Sequence, residues 1–304
     1  MAIQISDGST TPHATDYADL LAKLKTFALA NGWTSLEDTS DKLVLQGEGS
    51  GTDEIIVAIQ KYANVGADSY GWRLNGYTAY QSGYAFLDQP GAIQAVNGFG
   101  HVSMPLWNSS IPYWFIASGR RIIVVAKVGT TYQACYLGFF LPFASPNQYP
   151  YPLAIGGSRV DTFSNTARYS VADNQSSNFW NGLNTSGTGT MFFRMPGGSW
   201  YSARDASNGS GGVTTGMFPY NQADITLMRQ ALDGSPVLTP VEFQSYIGSP
   251  SLNVNRLGEL DGVFHIAGFD VSAEDVVTVG SDDYVVIPNV FRSGAADYAA
   301  LKLV

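Results

Sequence analysis

The sequence predicts a mostly β protein with minor α (α+β): antiparallel meanders in β-sandwich-like sheets, with one N-terminal amphipathic helix. Three observations predict it. Apolar residues make up 45% of the 304 and charged residues only 13%, about half the roughly 25% of an average domain. Glycine is abundant at 33 residues, alongside 17 Tyr, 16 Phe and 6 Trp, a composition of strands joined by tight turns. Residues 111–140, IPYWFIASGRRIIVVAKVGTTYQACYLGFF, form three β-branched and aromatic runs broken at Ser118-Gly119 and Gly129-Thr130. Such runs favour a pleated, partly buried surface.

Taken in order, residues 1–14 read as an extended arm and residues 15–304 as one compact mostly β unit. A boundary between two sub-domains is available near 141–157. Thr15 or Asp16 caps a helix whose Tyr17, Leu20, Leu21, Leu24, Phe27 and Ala28 form one apolar stripe, and Asn31-Gly32 supplies its stop. Strand patterns follow at Lys42–Gln46, Glu54–Tyr62 and Tyr70–Tyr80. Residues 81–110 read as a long connection rich in Gly, Pro and Asn. The meander itself takes Tyr113–Ala117, Arg120–Val128 and Tyr132–Phe140. Prolines 142, 146, 150 and 152 mark an ordered surface crossing without ladder pairing. Turn chemistry dominates Ser158–Gly189. A hairpin spans Met191–Met195 and Ser199–Arg204, and Asp205–Gly216 reads as a loop that is either mobile or ordered only by a neighbour. Asp224–Leu232 fits either a short helix or a strand, and Val237–Ile247 a strand interrupted by Pro240. The C-terminal part offers a short strand at Gly262–Gly268, a hairpin at Val276–Val279 and Tyr284–Ile287, and a last strand in Asp297–Val304.

The chemistry-bearing residues are sparse and scattered. Net charge is −9, which repels phosphate backbones, so direct nucleic-acid binding is not expected. The termini and apolar runs predict no signal peptide and no membrane insertion. The single cysteine, Cys135, sits in an apolar strand, and His13, His101 and His265 share no ligand spacing, so no metal and no cofactor is expected. Gly197-Gly198-Ser199 lacks the last glycine of a nucleophile elbow. The glycines at 47–51 lack the lysine and helix of a phosphate loop. Asp53 with Glu54, or Glu259 with Asp261, are the carboxylate pairs available for glycoside hydrolysis; solvated strand-end charges are the plainer reading. Catalytic residues are therefore not assigned. The aromatics placed near loops, Tyr149, Tyr151, Trp180, Trp200 and Tyr201, are the candidate interface residues, since aromatics anchor interfaces as well as cores.

Several long strings carry a resemblance: DYADLLAKLKTF (16–27), LVLQGEGSGTDEIIVAI (43–59), the run from MPLWNSS to PLAIGG (104–157), GELDGVFHIAGF (258–269) and NVFRSGAADYAALKLV (289–304). With these the chain resembles a family of tailed-bacteriophage virion structural proteins. The resemblance implies a non-enzymatic, tail-associated part of a phage particle, made in the host cytoplasm, in the tail or baseplate. Its partners would be other tail components or fibres, and its own copies in a three- or six-fold ring. The alternatives are a neck, collar or capsid-surface protein, and a module that binds or trims host glycans.

Overall fold

A computed structural model describes residues 1–49, 51–94, 101–161, 179, 190–203, 214–220, 222–232, 234–246, 254–290 and 294–303. The chain is mostly β with few helices, and every ladder among the described residues is antiparallel. Its elements are β1 (Ala2–Ile5), α1 (Tyr17–Leu29), β2 (Thr34–Asp38), β3 (Lys42–Glu48), β4 (Glu54–Asn64), β5 (Ser69–Tyr77), β6 (His101–Leu106), β7 (Tyr113–Ala117), β8 (Arg121–Val128), β9 (Thr131–Phe139) and β10 (Leu141–Pro142). They continue with β11 (Leu153–Gly156), β12 (Arg159–Asp161), β13 (Met191–Arg194), β14 (Trp200–Ser202), β15 (Thr214–Phe218), α2 (Ala223–Thr226), β16 (Leu238–Tyr246), β17 (Val254–Ile266), β18 (Val276–Val279), β19 (Asp282–Pro288) and β20 (Tyr298–Lys302).

Three sheets result. The first runs β1-β7-β8-β9-β11-β13-β14, the second β12-β6-β5-β4-β3-β2, and the third β15-β16-β17-β20-β19-β18 with β10 also on β17. The first sheet lies in the middle. Side chains alternate faces along a strand, so Phe115, Ile122, Val124, Cys135 and Leu137 enter one core while Trp114, Ile116, Ile123, Val125 and Tyr136 enter another. The first core is completed by α1 and by Leu45, Val57, Trp72 and Met104 of the second sheet. The second is completed by Val241, Phe243, Leu260, Val263, Val285 and Leu301 of the third. A sheet covered on both faces needs continuous apolar strands rather than alternating ones. That is why residues 111–140 carry so few polar positions.

Helix α1 begins where Asp16 accepts hydrogen bonds from the Ala18 and Asp19 amides at 2.7 and 2.8 Å, satisfying donors that the first turn leaves open. Its expected stripe is the observed one: Leu20, Leu21, Leu24, Phe27 and Ala28 are buried. The turn after it passes close to the turn between β7 and β8. A Cβ on Gly32, where φ is +90°, would stand 3.1 Å from the Gly119 Cα, so the left-handed glycine is required twice over.

The structure departs from the sequence reading at definite places. Residues 2–5, part of the expected arm, form an edge strand whose partner is this chain's own β7, with Ile3 opposite Ile116. The proline-rich crossing does pair. Leu141–Pro142 joins β17, and Leu153–Gly156 lies between β9 and β13. Proline removes only its own ladder donor, and the paired stretch 153–156 contains none. Pro240 likewise interrupts no strand: β16 runs through it opposite Phe264, with a register shift before Glu242. Strand β17 is 13 residues long and begins well before the expected 262–268; its first half pairs with β16 but carries polar residues such as Asn255, Arg256 and Glu259, which hide it from an apolar pattern. The expected long connection contains β6, and the expected loop 205–216 ends in β15; residues 204–213 lie outside the described set, as does most of 158–189.

The second core has an aromatic centre. Phe243 stacks on Phe193 at 4.4 Å and meets Phe140 edge-on at 5.0 Å, and all three are buried. Phe243→Ala should cost about 3–5 kcal/mol, read from the urea midpoint. Val65→Ala, at a surface 3₁₀ turn and 76% exposed, should stay within about 0.5 kcal/mol. Equal effects would contradict this packing.

Candidate functional site

The aromatics singled out from the sequence gather at the β11–β14 side of the first sheet, but chiefly as framework. Tyr149 is buried, a correction to its reading as a surface aromatic. Its ring meets Phe140 edge-on at 5.4 Å and its hydroxyl donates to the Arg194 carbonyl at 2.8 Å. Burial raises that hydroxyl's pKa. Tyr151 adopts a left-handed backbone, φ 51°, fixed because its amide donates to Asp53 Oδ2 at 2.8 Å. The Arg194 guanidinium lies over its ring at 5.3 Å and donates to the Pro150 carbonyl at 3.0 Å. Trp200 is half-buried over the second sheet, its indole N–H donating to the Gly91 carbonyl at 2.7 Å. Tyr201 is half-buried against the second core. Trp180 lies outside the described residues. Tyr149, Tyr151 and Arg194 thus form one lock, with Asp53 reaching it from the β3–β4 turn. Among the described residues, no open aromatic platform forms from them.

The other ionisable candidates are also in structural use. Asp53 holds Tyr151, and Asp261 holds Arg121. The two histidines of the strands are buried, and burial lowers both pKa values, His101 to about 4 with help from the Arg73 charge. His265 Nε2 sits 2.9 Å from the Thr226 carbonyl and its ring meets Tyr220 edge-on. His13 contacts Ser6 Oγ at 3.0 Å. The Cys135 thiol is raised by burial, which keeps it unreactive. Glu259 is raised by burial and by the Glu242 and Asp261 carboxylates, while Glu242 accepts a two-pronged hydrogen bond from Arg256. Gly198 closes the β13–β14 hairpin turn with its amide 2.9 Å from the Met195 carbonyl, leaving Ser199 in a turn rather than an elbow. Among the described residues no three His, Cys, Asp or Glu side chains are grouped to hold a metal ion, and no helix is long and apolar enough to cross a membrane.

Two charged contacts that sequence reasoning missed join the layers. Arg121, wholly buried, reaches from β8 to Asp261 Oδ2 at 3.2 Å, to the Ile116 carbonyl at 3.3 Å and to the Met1 sulfur at 3.1 Å. Gly262, with φ +75°, makes the room: a Cβ there would sit 2.5 Å from the guanidinium. An arginine heading an apolar run is the signal for such a partner; its position 140 residues on is not readable. Second, Glu274 accepts from Lys127 Nζ at 2.6 Å and from the Tyr132 hydroxyl, tying the β17–β18 loop to β8 and β9. Its backbone is left-handed, φ 73°, a conformation uncommon without glycine.

What stays open is surface. The outer face of the third sheet shows Leu238, Phe264, Val277, Val279 and Tyr298 only partly buried around Val286 and Ala300. Leu227, Met228, Leu232 and Phe269 are also exposed.

Removing Asp261 strands a buried cation. Asp261→Ala should destabilise by about 3 kcal/mol, and adding Arg121→Met should recover most of it, because replacing a buried pair is far milder than breaking one; urea melts of both variants decide. For Glu274, burial alone would raise the carboxyl, but hydrogen bonds from Lys127 and Tyr132 outweigh it and lower the pKa below its ordinary 4.5. The stability it contributes is present above 4.5 and lost as pH falls through the lowered value. Glu274→Gln should flatten that part of the stability profile by up to about 1 kcal/mol. Urea melts across about pH 3 to 6 check it, and a profile with unchanged slope contradicts it. In comparison with known proteins, no family model matches the chain, and no curated protein matches it either.

Proposed function

We propose that this protein is a non-enzymatic structural component of a phage virion, in the tail or baseplate, joining other tail parts or fibres. One observation carries the reading. The strings that resemble phage virion structural proteins build the fold itself. Residues 16–27 lie in α1, 43–59 cover β3 and β4 apart from residue 42 and the end of β4, 104–157 run from β6 through β11, 258–269 contain the second half of β17, and 289–304 contain β20. The resemblance therefore touches all three sheets and both cores rather than one loop.

Support also comes from what the outer surface offers. A partly uncovered apolar sheet face and several exposed large apolar side chains are the usual equipment of a subunit that binds neighbours. Against the glycan-module alternative, Tyr149 is buried and the Trp200 indole N–H is engaged with the Gly91 carbonyl. A neck, collar or capsid-surface position remains the second structural reading, and imaging separates it from the first.

The test is direct. Gradient-purified particles of the phage encoding this chain should contain it in stoichiometric amount, and gold-labelled antibody should decorate the distal tail. Label at the head–tail junction would move the protein to the neck. Absence from purified particles would overturn the virion reading.

A further inference from the structure

Strand β18, VVTV, ends the third sheet. It pairs with β19, and among the described residues no strand lies on its other side. Sheet edges are usually blunted by charge, proline or a bulge. The edge strand β2 of the second sheet has such devices: Glu37, Asp38 and a register shift after Ser35. Strand β18 has none of them. All of its residues are β-branched, and Val276 is 56% exposed.

The hairpin fixes which way its backbone points. Gly280 and Ser281 make a two-residue turn, so the closing pair Val279–Asp282 is hydrogen-bonded. Bonded and non-bonded pairs alternate along an antiparallel ladder, which makes Val277–Tyr284 the next bonded pair. The Val286 amide, donating to the Asp275 carbonyl at 2.8 Å, keeps the same alternation. The N–H and C=O groups of Val276 and Thr278 therefore point away from β19. The side chains of Val277 and Val279 lie on the outer face. There an apolar stripe crosses the sheet from Leu238 through Phe264, Tyr298 and Val286 and stops at this edge. Acidic residues flank the strand, but Glu274 is paired with Lys127 and Asp282 with Lys302.

We infer that β18 of one copy pairs antiparallel with β18 of a second copy about a two-fold axis at Val277. Such an axis stands perpendicular to the sheet, so outer face meets outer face and the apolar stripe continues into the second copy. Val276 of each copy lies opposite Thr278 of the other, and their outward N–H and C=O groups satisfy one another. Val277 faces Val277 as a non-bonded pair, with Cβ atoms about 4.5–5.5 Å apart. Asp275 stands opposite Val279 and Glu274 opposite Gly280, so no acid meets an acid. Backbone, apolar stripe and charge all match under one symmetry operation, which is the reason to name a second copy as the occupant. The contact is isologous and makes a dimer. It goes beyond the proposed virion role and does not depend on it.

The test places charges at the axis of the full chain. Val277→Lys sets two like charges face to face, and Val277→Glu does the same with the opposite sign. By sedimentation equilibrium, each variant alone should have its dimer dissociation constant raised about tenfold or more, and an equal mixture of the two should restore the dimer. Val276→Pro spares the outer face and the ladder to β19 and removes an outward N–H; it should weaken the dimer while leaving the thermal melt of the dilute monomer in place. An unmodified chain that stays monomeric at every concentration would overturn the pairing and leave the edge to a strand of another protein. A dimer unmoved by these three substitutions would overturn it in favour of another surface. Presence or absence in purified particles still judges the virion role separately.

Discussion

Burial of one sheet on both faces governs this molecule. The first sheet is shared by two cores, so its central strands have no side that faces water. Every polar residue in it needs a partner inside the protein. Arg121 meets that demand through Asp261 and the Ile116 carbonyl, and the left-handed Gly262 clears the space for its guanidinium. Tyr136 meets it through the Phe139 carbonyl and the Asp261 amide. A buried ion pair adds little stability over an apolar replacement, but a broken one is costly. Its role here is registry: it ties β8 to one position along β17.

The remaining layers follow from that constraint. The third sheet must present an apolar inner face, which β16, β17, β19 and β20 do. The second sheet and α1 must together cover the opposite face, and neither spans it alone: α1 packs against β7, while β4, β5 and β6 pack against β9 and β11. Outer faces are treated unequally. The second sheet has its outer face closed by Phe86 and Ala92 of the 78–94 segment, with the Tyr77 hydroxyl donating to the Phe86 carbonyl at 2.7 Å. The third sheet has no such cover among the described residues, and this asymmetry is what points outward to neighbours.

Legibility in the sequence tracked burial. The β7–β9 meander and α1 were readable because tertiary packing and local pattern agree there. Strands β2, β6 and β15 were not: β2 (TSLED) is a polar edge strand that resembles a loop in composition, and β6, although buried, carries His101, Ser103 and Pro105 among its apolar residues. β11 was hidden by its flanking prolines, and the first half of β17 by Asn255, Arg256 and Glu259. Of the candidate aromatics, residue type alone could not tell Tyr149 in a core from Tyr149 on a surface; the deciding partner, Arg194, lies 45 positions away.

The edge strand β1 has a consequence during synthesis. Gln4 and Tyr113, hydrogen-bonded at 3.0 Å, stand 109 positions apart. At a translation rate of about 5–20 residues per second, residues 2–5 leave the ribosome roughly 5–20 seconds before the strand they pair with. In that interval the middle sheet cannot close on this side, and α1 emerges before the β7 surface it will cover. Strand β1 thus stays without its partner until β7 emerges, while the strands of the third sheet from residue 214 onward follow later still.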